Sequence, residues 1–155
     1  MLNRLGQLNY PIPKPLRAAA STYIDHYLQE QIARLERGEE TTLAAIEQLH
    51  ERGRAWGYQP ETTMLAKTIA EAMQRTLARI NPEADLTAIT ARIGLLLDTC
   101  SLLGVKPEIW QVQNQFLRAY LDLSLTGAMS GPLRDTFAAL ATRLNVSPSL
   151  LGWTP

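Results

Sequence analysis

Apolar residues recur at three- and four-residue spacing along most of the chain, the period of amphipathic helices. Leu16, Ala20, Tyr23, Tyr27, Leu28, Ile32 and Leu35 make one such stripe and predict a first helix over residues 15–37. Pro15 suits its first turn, Gly38 ends it, and Arg34 and Arg37 fall in the last turn, where cations favour the helix dipole. A second helix is predicted over about residues 41–56, with Leu43, Ile46 and Leu49 as a short face, weakened by Gly53 and stopped by Gly57. A third opens at Pro60 and Glu61, carries Leu65, Ile69, Met73, Leu77 and Ile80, and stops before Asn81-Pro82, because proline disfavours a helical residue ahead of it.

Asp85 is a good cap for a fourth helix, whose face is Leu86, Ile89, Ile93, Leu96, Leu97, Cys100 and Leu103, with Gly104 at its end. A fifth, with Pro107 in its first turn, carries Ile109, Trp110, Phe116, Leu117, Tyr120 and Leu121. A sixth follows the 127–131 loop and shows Leu133, Phe137, Leu140 and Leu144. No segment alternates with period two, and no Asn-Gly or Asp-Gly hairpin signal occurs. The loops are short, so the expected fold is all-α, a bundle of five or six mostly antiparallel amphipathic helices. Residues 1–14, with Pro11 and Pro13, read as an extended proline-rich lead-in and 15–155 as a single helical domain. Successive helix pairs also suit a solenoid, but the loops and apolar positions do not recur in register.

Composition narrows the choice of partner. Hydrophobic residues make up 46% of the 155, enough for one globular core. Fifteen Lys and Arg balance fifteen Asp and Glu, which argues against nucleic acid, whose binding depends on neutralising phosphates. No basic cluster suits a membrane surface, and the apolar run at 93–97 stops at Asp98, short of the roughly 20 residues a span needs. The single cysteine, Cys100, has no internal disulfide partner, so a cytoplasmic protein is expected.

Candidate chemistry is sparse. His26, His50 and Cys100 lie far apart, with no HExxH or CxxC, and neither metal nor cofactor is expected. Cys100, on the apolar face of the fourth helix, reads as a small core hydrophobe. The carboxylate pairs Glu39-Glu40, Glu47-Glu51 and Glu83-Asp85 sit at helix starts and on polar faces, as solvated acids do. No residue is assigned a catalytic role. The least ordinary segment is PEIWQVQNQFLRAY, where Gln111, Gln113, Asn114 and Gln115 surround Trp110 and Phe116. Helical spacing places Gln113, Phe116 and Leu117 on the face of Trp110, which predicts a buried polar cluster of Trp110, Gln113 and Asn114. Such a cluster is either a structural amide bonding a neighbouring helix or a polar ligand site. Trp56 and Tyr58 flank a turn and Trp153 lies near the chain end. These three rings either form a contact surface for another protein or fold back to close the bundle.

The stretch LGVKPEIWQVQNQFLRAY, residues 103–120, resembles a segment of the helical C-terminal domain in a subset of family 57 glycoside hydrolases, the α-amylase and α-mannosidase relatives. There a helix opens after a short glycine-containing turn with an apolar residue, a Trp, a Gln-Asn pair and an aromatic or aliphatic residue. Trp110, Gln113, Asn114 and Phe116 hold those places here. LNYPIPKPLRAAASTYIDHYLQEQIARL is similar to an earlier proline-rich lead-in and Ala-rich helix of that domain, and TTMLAKTIAEAMQRTLARI to a third helix. None of the family's catalytic carboxylates, which lie in its barrel, is present. The resemblance therefore implies a non-catalytic accessory domain in a carbohydrate context, acting by protein–protein contact, with a carbohydrate-active enzyme or a second copy as partner. An independent helical scaffold that self-associates and a small-ligand-binding domain are the other two readings.

Overall fold

The computed structural model describes residues 13–39, 43–81, 84–127 and 129–152. These residues form six α-helices: α1 (Lys14–Arg37), α2 (Leu43–Ala55), α3 (Thr62–Leu77), α4 (Leu86–Leu103), α5 (Trp110–Leu125) and α6 (Gly131–Arg143). A 3-10 turn (Pro148–Leu151) follows, and there is no strand among them. The all-α bundle expected from the apolar period is the observed architecture. Most of the predicted lead-in lies outside the described residues, and Lys14 already belongs to α1.

Two helices organise the rest. α4 packs against α1, α2, α3 and α6, and α3 packs against α1, α4 and α5. Ile69, Met73 and Leu77 of α3 and Ile93 and Leu96 of α4 are completely buried between them. By length and composition α4 is apolar enough to cross a membrane, with a mean hydropathy of 1.5 over Leu86–Leu103. In the bundle that apolar surface is covered by helices on several sides. Thr76, Thr90 and Thr99 are buried too, and each hydroxyl donates to the carbonyl four residues back, at 2.8, 2.9 and 2.8 Å. The hydroxyls thus enter the core without an orphaned donor.

The stripe on α1 differs from the predicted one. The buried row is Ala20, Ile24, Leu28, Gln31, Ile32 and Leu35, ending with Glu36. Leu16 and Tyr23 are exposed, and Tyr23 stacks on half-buried Tyr27 with centroids 6.2 Å apart. A straight four-residue row from Ala20 to Ile32 fits the groove, and Tyr23 stands about 100° to one side of Ile24. The helix ends as expected at Gly38, in the left-handed region at φ 74°. Gly38 and Glu39 donate to the carbonyls of Leu35 and Arg34 at 3.1 and 3.0 Å. A Cβ on Gly38 would meet the Arg92 guanidinium of α4 at 2.3 Å, so glycine also admits that side chain. Gly53 has a similar reason. It is buried in α2, and a Cβ there would lie 2.9 Å from the Tyr58 ring and 3.1 Å from Ile24.

Buried Glu36 joins the C-terminal ends of α1 and α3. Arg75 donates to both carboxylate oxygens at 2.9 Å, and Arg79 donates to the Glu36 carbonyl at 2.9 Å and to Oε1 at 3.2 Å. The forked guanidinium matches a carboxylate in two parallel bonds. The Arg75 hydrogen bonds hold the Glu36 carboxyl below its ordinary value of 4.5, with further help from the positive charges of Arg75, Arg79 and Arg37. A carboxyl with a depressed folded-state pKa stabilises fully above its unfolded value and loses that contribution as the pH falls through the folded value. Stability is therefore expected to drop on acidification below about pH 4.5. Glu36→Gln, which keeps the shape without the charge, is expected to cost about 1–3 kcal/mol at neutral pH and to flatten the acid limb. Urea unfolding of both proteins between neutral and acid pH measures the difference.

Candidate binding groove

Why Trp110 lies where it does follows from the start of α5. The chain leaves α4 through left-handed Gly104, and Val105 donates to the Cys100 carbonyl at 3.0 Å while its side chain is buried. Residues 105–109 are not helical, so Pro107 precedes α5 instead of opening it. Proline holds Lys106 out of the helical region, and helix begins only at Trp110. The phase of α5 is set by Val112, Phe116, Ala119, Tyr120 and Leu123, all buried. Phe116 packs against Phe137 of α6 at a centroid distance of 5.4 Å, and Tyr120 against the same ring at 6.3 Å. Trp110 stands two residues before Val112, about 200° around the helix, and is 65% exposed.

The expected buried cluster of Trp110, Gln113 and Asn114 is thus corrected. Trp110 shares a face with Leu117, not with Phe116, whose partner one turn back is Val112. Of the three residues only Gln113 turns inward. Its Nε2 donates to the carbonyl of Leu144 at 2.8 Å and lies 3.4 Å from that of Asn145, satisfying the C-terminal end of α6. This is the structural amide. Asn114 is exposed.

Trp110 and Asn114 stand instead on a concave surface between α3 and α5. A groove of about 670 Å³ is lined by Thr62, Lys67, Glu71 and Gln74 of α3, by Lys106 and Glu108, and by Trp110 and Gln111. A smaller hollow of about 280 Å³ continues it, lined by Gln74, Gln111, Asn114, Gln115 and Arg118. Gln74 and Gln111 belong to both, so the two form one surface along the α3–α5 seam. Its lining mixes polar side chains with Ala66 and Ala70, and its charges nearly cancel. Lys67 pairs with Glu71 at 3.9 Å, Glu71 with Arg75 at 3.7 Å, and Lys106 and Glu108 oppose them with one charge of each sign. Four side-chain amides offer both donors and acceptors beside one large exposed ring. Gln74 was not visible as a site residue in the sequence; its only signal is its place on the polar face of α3, one turn beyond Glu71.

The other candidates fall elsewhere. Tyr58 is 3% exposed and donates its hydroxyl to Asp25 of α1. Burial first, and the Asp25 carboxylate second, raise the phenol's pKa. Tyr58 is therefore core and no contact surface: the turn after α2 folds its ring into the space that Gly53 leaves. Trp56 is half-buried and packs on the same core. The reading in which these rings close the bundle holds for this pair, while Trp153 lies outside the described residues. Cys100 is buried, and desolvation pushes its thiol up to about 11, as expected of a core position and opposite to a reactive thiolate. His26 is exposed and His50 half-buried, and among the described residues no group of three or more His, Cys, Asp or Glu could hold a metal.

Comparison with known proteins adds no relative: no protein-family model, no curated protein and no solved structure matches the chain. The two aromatic positions make opposite predictions for stability. Trp110→Ala is expected to change it by less than about 0.5 kcal/mol, as surface substitutions do. Tyr58→Phe removes a part-buried, charge-assisted hydrogen bond and is expected to cost about 1.5–3 kcal/mol. Chemical denaturation of the two variants in parallel checks both.

Proposed function

We propose that this chain is a non-catalytic helical accessory domain that works by binding, with the α3–α5 groove around Trp110 as its working surface. The observation that carries this reading is the exposed indole at the rim of a polar groove. A large ring left in water beside a concave surface of amides is the composition of a recognition site, where aromatic residues concentrate binding energy. The resemblance to the helical domain of family 57 glycoside hydrolases supports a carbohydrate setting. The Trp-x-x-Gln-Asn run that carries the resemblance supplies the groove with Trp110 and Asn114. An indole face suits the apolar face of a sugar ring, and amides pair with hydroxyls as donor and acceptor. A neutral surface of this kind favours an uncharged glucan over a charged polymer. The partner under this reading is a carbohydrate-active enzyme acting on the same polymer, and the groove supplies contact without chemistry.

Isothermal titration with soluble glucan oligomers tests the proposal. Wild type is expected to bind, Trp110→Ala to lose measurable binding, and Asn114→Ala to weaken it about fivefold, equivalent to one lost hydrogen bond. Both variants should unfold as wild type does. Equal affinity in wild type and Trp110→Ala, or no heat from any glucan, would remove the groove as a sugar site.

A further inference from the structure

α5 is apolar on two opposite sides. Val112, Phe116, Ala119, Tyr120 and Leu123 face the bundle and are buried. Leu117, Leu121 and Leu125 recur every fourth residue on the other side, about 150° around the helix. Leu117 is half-buried and packs against the bundle's own core, whereas Leu121 is 54% exposed and Leu125 is 85% exposed. Helix geometry stacks the three in one row about 12 Å long. A single exposed leucine is ordinary. A row of them, on a helix whose core face is already filled, is a second seam.

The charges beside the row indicate what covers it. Arg118 and Asp122 stand one turn apart along one edge, both exposed, and neither makes an ion pair among the described residues. An edge with one cation and one anion complements itself across a two-fold axis. In an antiparallel pair crossing at Leu121, Arg118 of each chain lies two residues, about 3 Å along the axis, from the level of Asp122 of the other, within reach of an arginine side chain. In the same arrangement Leu121 crosses its own counterpart and Leu117 meets Leu125. An edge of one sign would repel a copy of itself. We propose that the outer face of α5 is a homodimer interface, two antiparallel α5 helices crossing at Leu121.

The leucine row lies outside the groove, and the two surfaces share Arg118, which also lines the smaller hollow. Trp110 lies about 16 Å along the helix from Leu121. One helix per copy buries less than the roughly 800 Å² per partner of a standard interface, so the dimer is a weak one, populated at high micromolar to millimolar concentration.

Sedimentation equilibrium of the full chain across that range tests it. The average mass is expected to climb from 17.3 kDa toward twice that value. Leu121→Glu combined with Leu125→Glu should hold the chain monomeric with an unchanged unfolding temperature, since both side chains are exposed. Arg118→Asp or Asp122→Arg alone should weaken association, and the two together should restore it, because the exchanged pair rebuilds both cross-contacts. A monomer at every concentration overturns the dimer and leaves the seam to a different polypeptide. A dimer indifferent to the leucine substitutions, or charge variants that the double exchange does not rescue, overturns the interface. Glucan titration of the leucine variant, expected to match wild type, keeps this result separate from that of the groove.

Discussion

An eighteen-residue helix whose only charges are Arg92 and Asp98 must be kept from water, and the rest of this bundle is arranged around meeting that requirement for α4. A conventional amphipathic helix needs cover along one stripe. α4 needs it over most of its circumference, and α1, α2, α3 and α6 each supply part. Its two charges become ties to its neighbours. Arg92 lies over Gly38 where α1 ends, and Asp98 pairs with Arg143 of α6, whose guanidinium also donates to the Gly94 carbonyl at 3.1 Å. Two of the glycines therefore serve approach as much as capping: Gly38 admits a guanidinium and Gly53 a phenol ring.

The groove is a consequence of that arrangement. α3 shares α4's apolar surface and so turns its polar face, Lys67, Glu71 and Gln74, away from the centre. α5 docks beside it through Val112 and Phe116 and brings its own polar flank alongside. Where the two flanks meet, an open channel is left, lined by amides, paired charges and the small side chains of Ala66 and Ala70. Trp110 stands at its head because the proline-containing link from α4 delays the helix by a full turn. The same docking turns Leu121 and Leu125 outward and leaves Leu117 at the margin of the core. One set of buried contacts thereby determines both faces on which the functional proposals rest.

Much of the architecture was legible in the chain itself. The number of helices, Gly38 and Gly104 as stops, Asp85 as a cap that accepts from the Ala88 amide at 3.0 Å, and Cys100 as core all follow from local rules. These signals depend on a residue and its near neighbours, so tertiary context rarely reverses them. The site was only partly legible. The structural amide at Gln113 was one of two readings that the sequence allowed, and helical spacing tied it to a buried Trp110 that is in fact exposed. The placements of Trp110, Asn114 and Tyr58 were not legible, for two reasons. Trp110 is apolar and has an apolar residue seven positions on, which makes a stripe in either of two phases, and nothing local says which stripe meets the core. Tyr58 follows a Gly in a turn, a context that reads as surface until Asp25 and Gly53 are brought to it from elsewhere.

What the sequence by itself determined is the set of helices, because period, caps and breakers act within a few residues. What only the tertiary structure decided is the rotation of each helix about its own axis. That rotation depends on how much apolar area each face buries against neighbours distant in the chain, and α5, apolar on both sides, has two answers until Phe137 and the α3 surface choose Phe116 over Trp110.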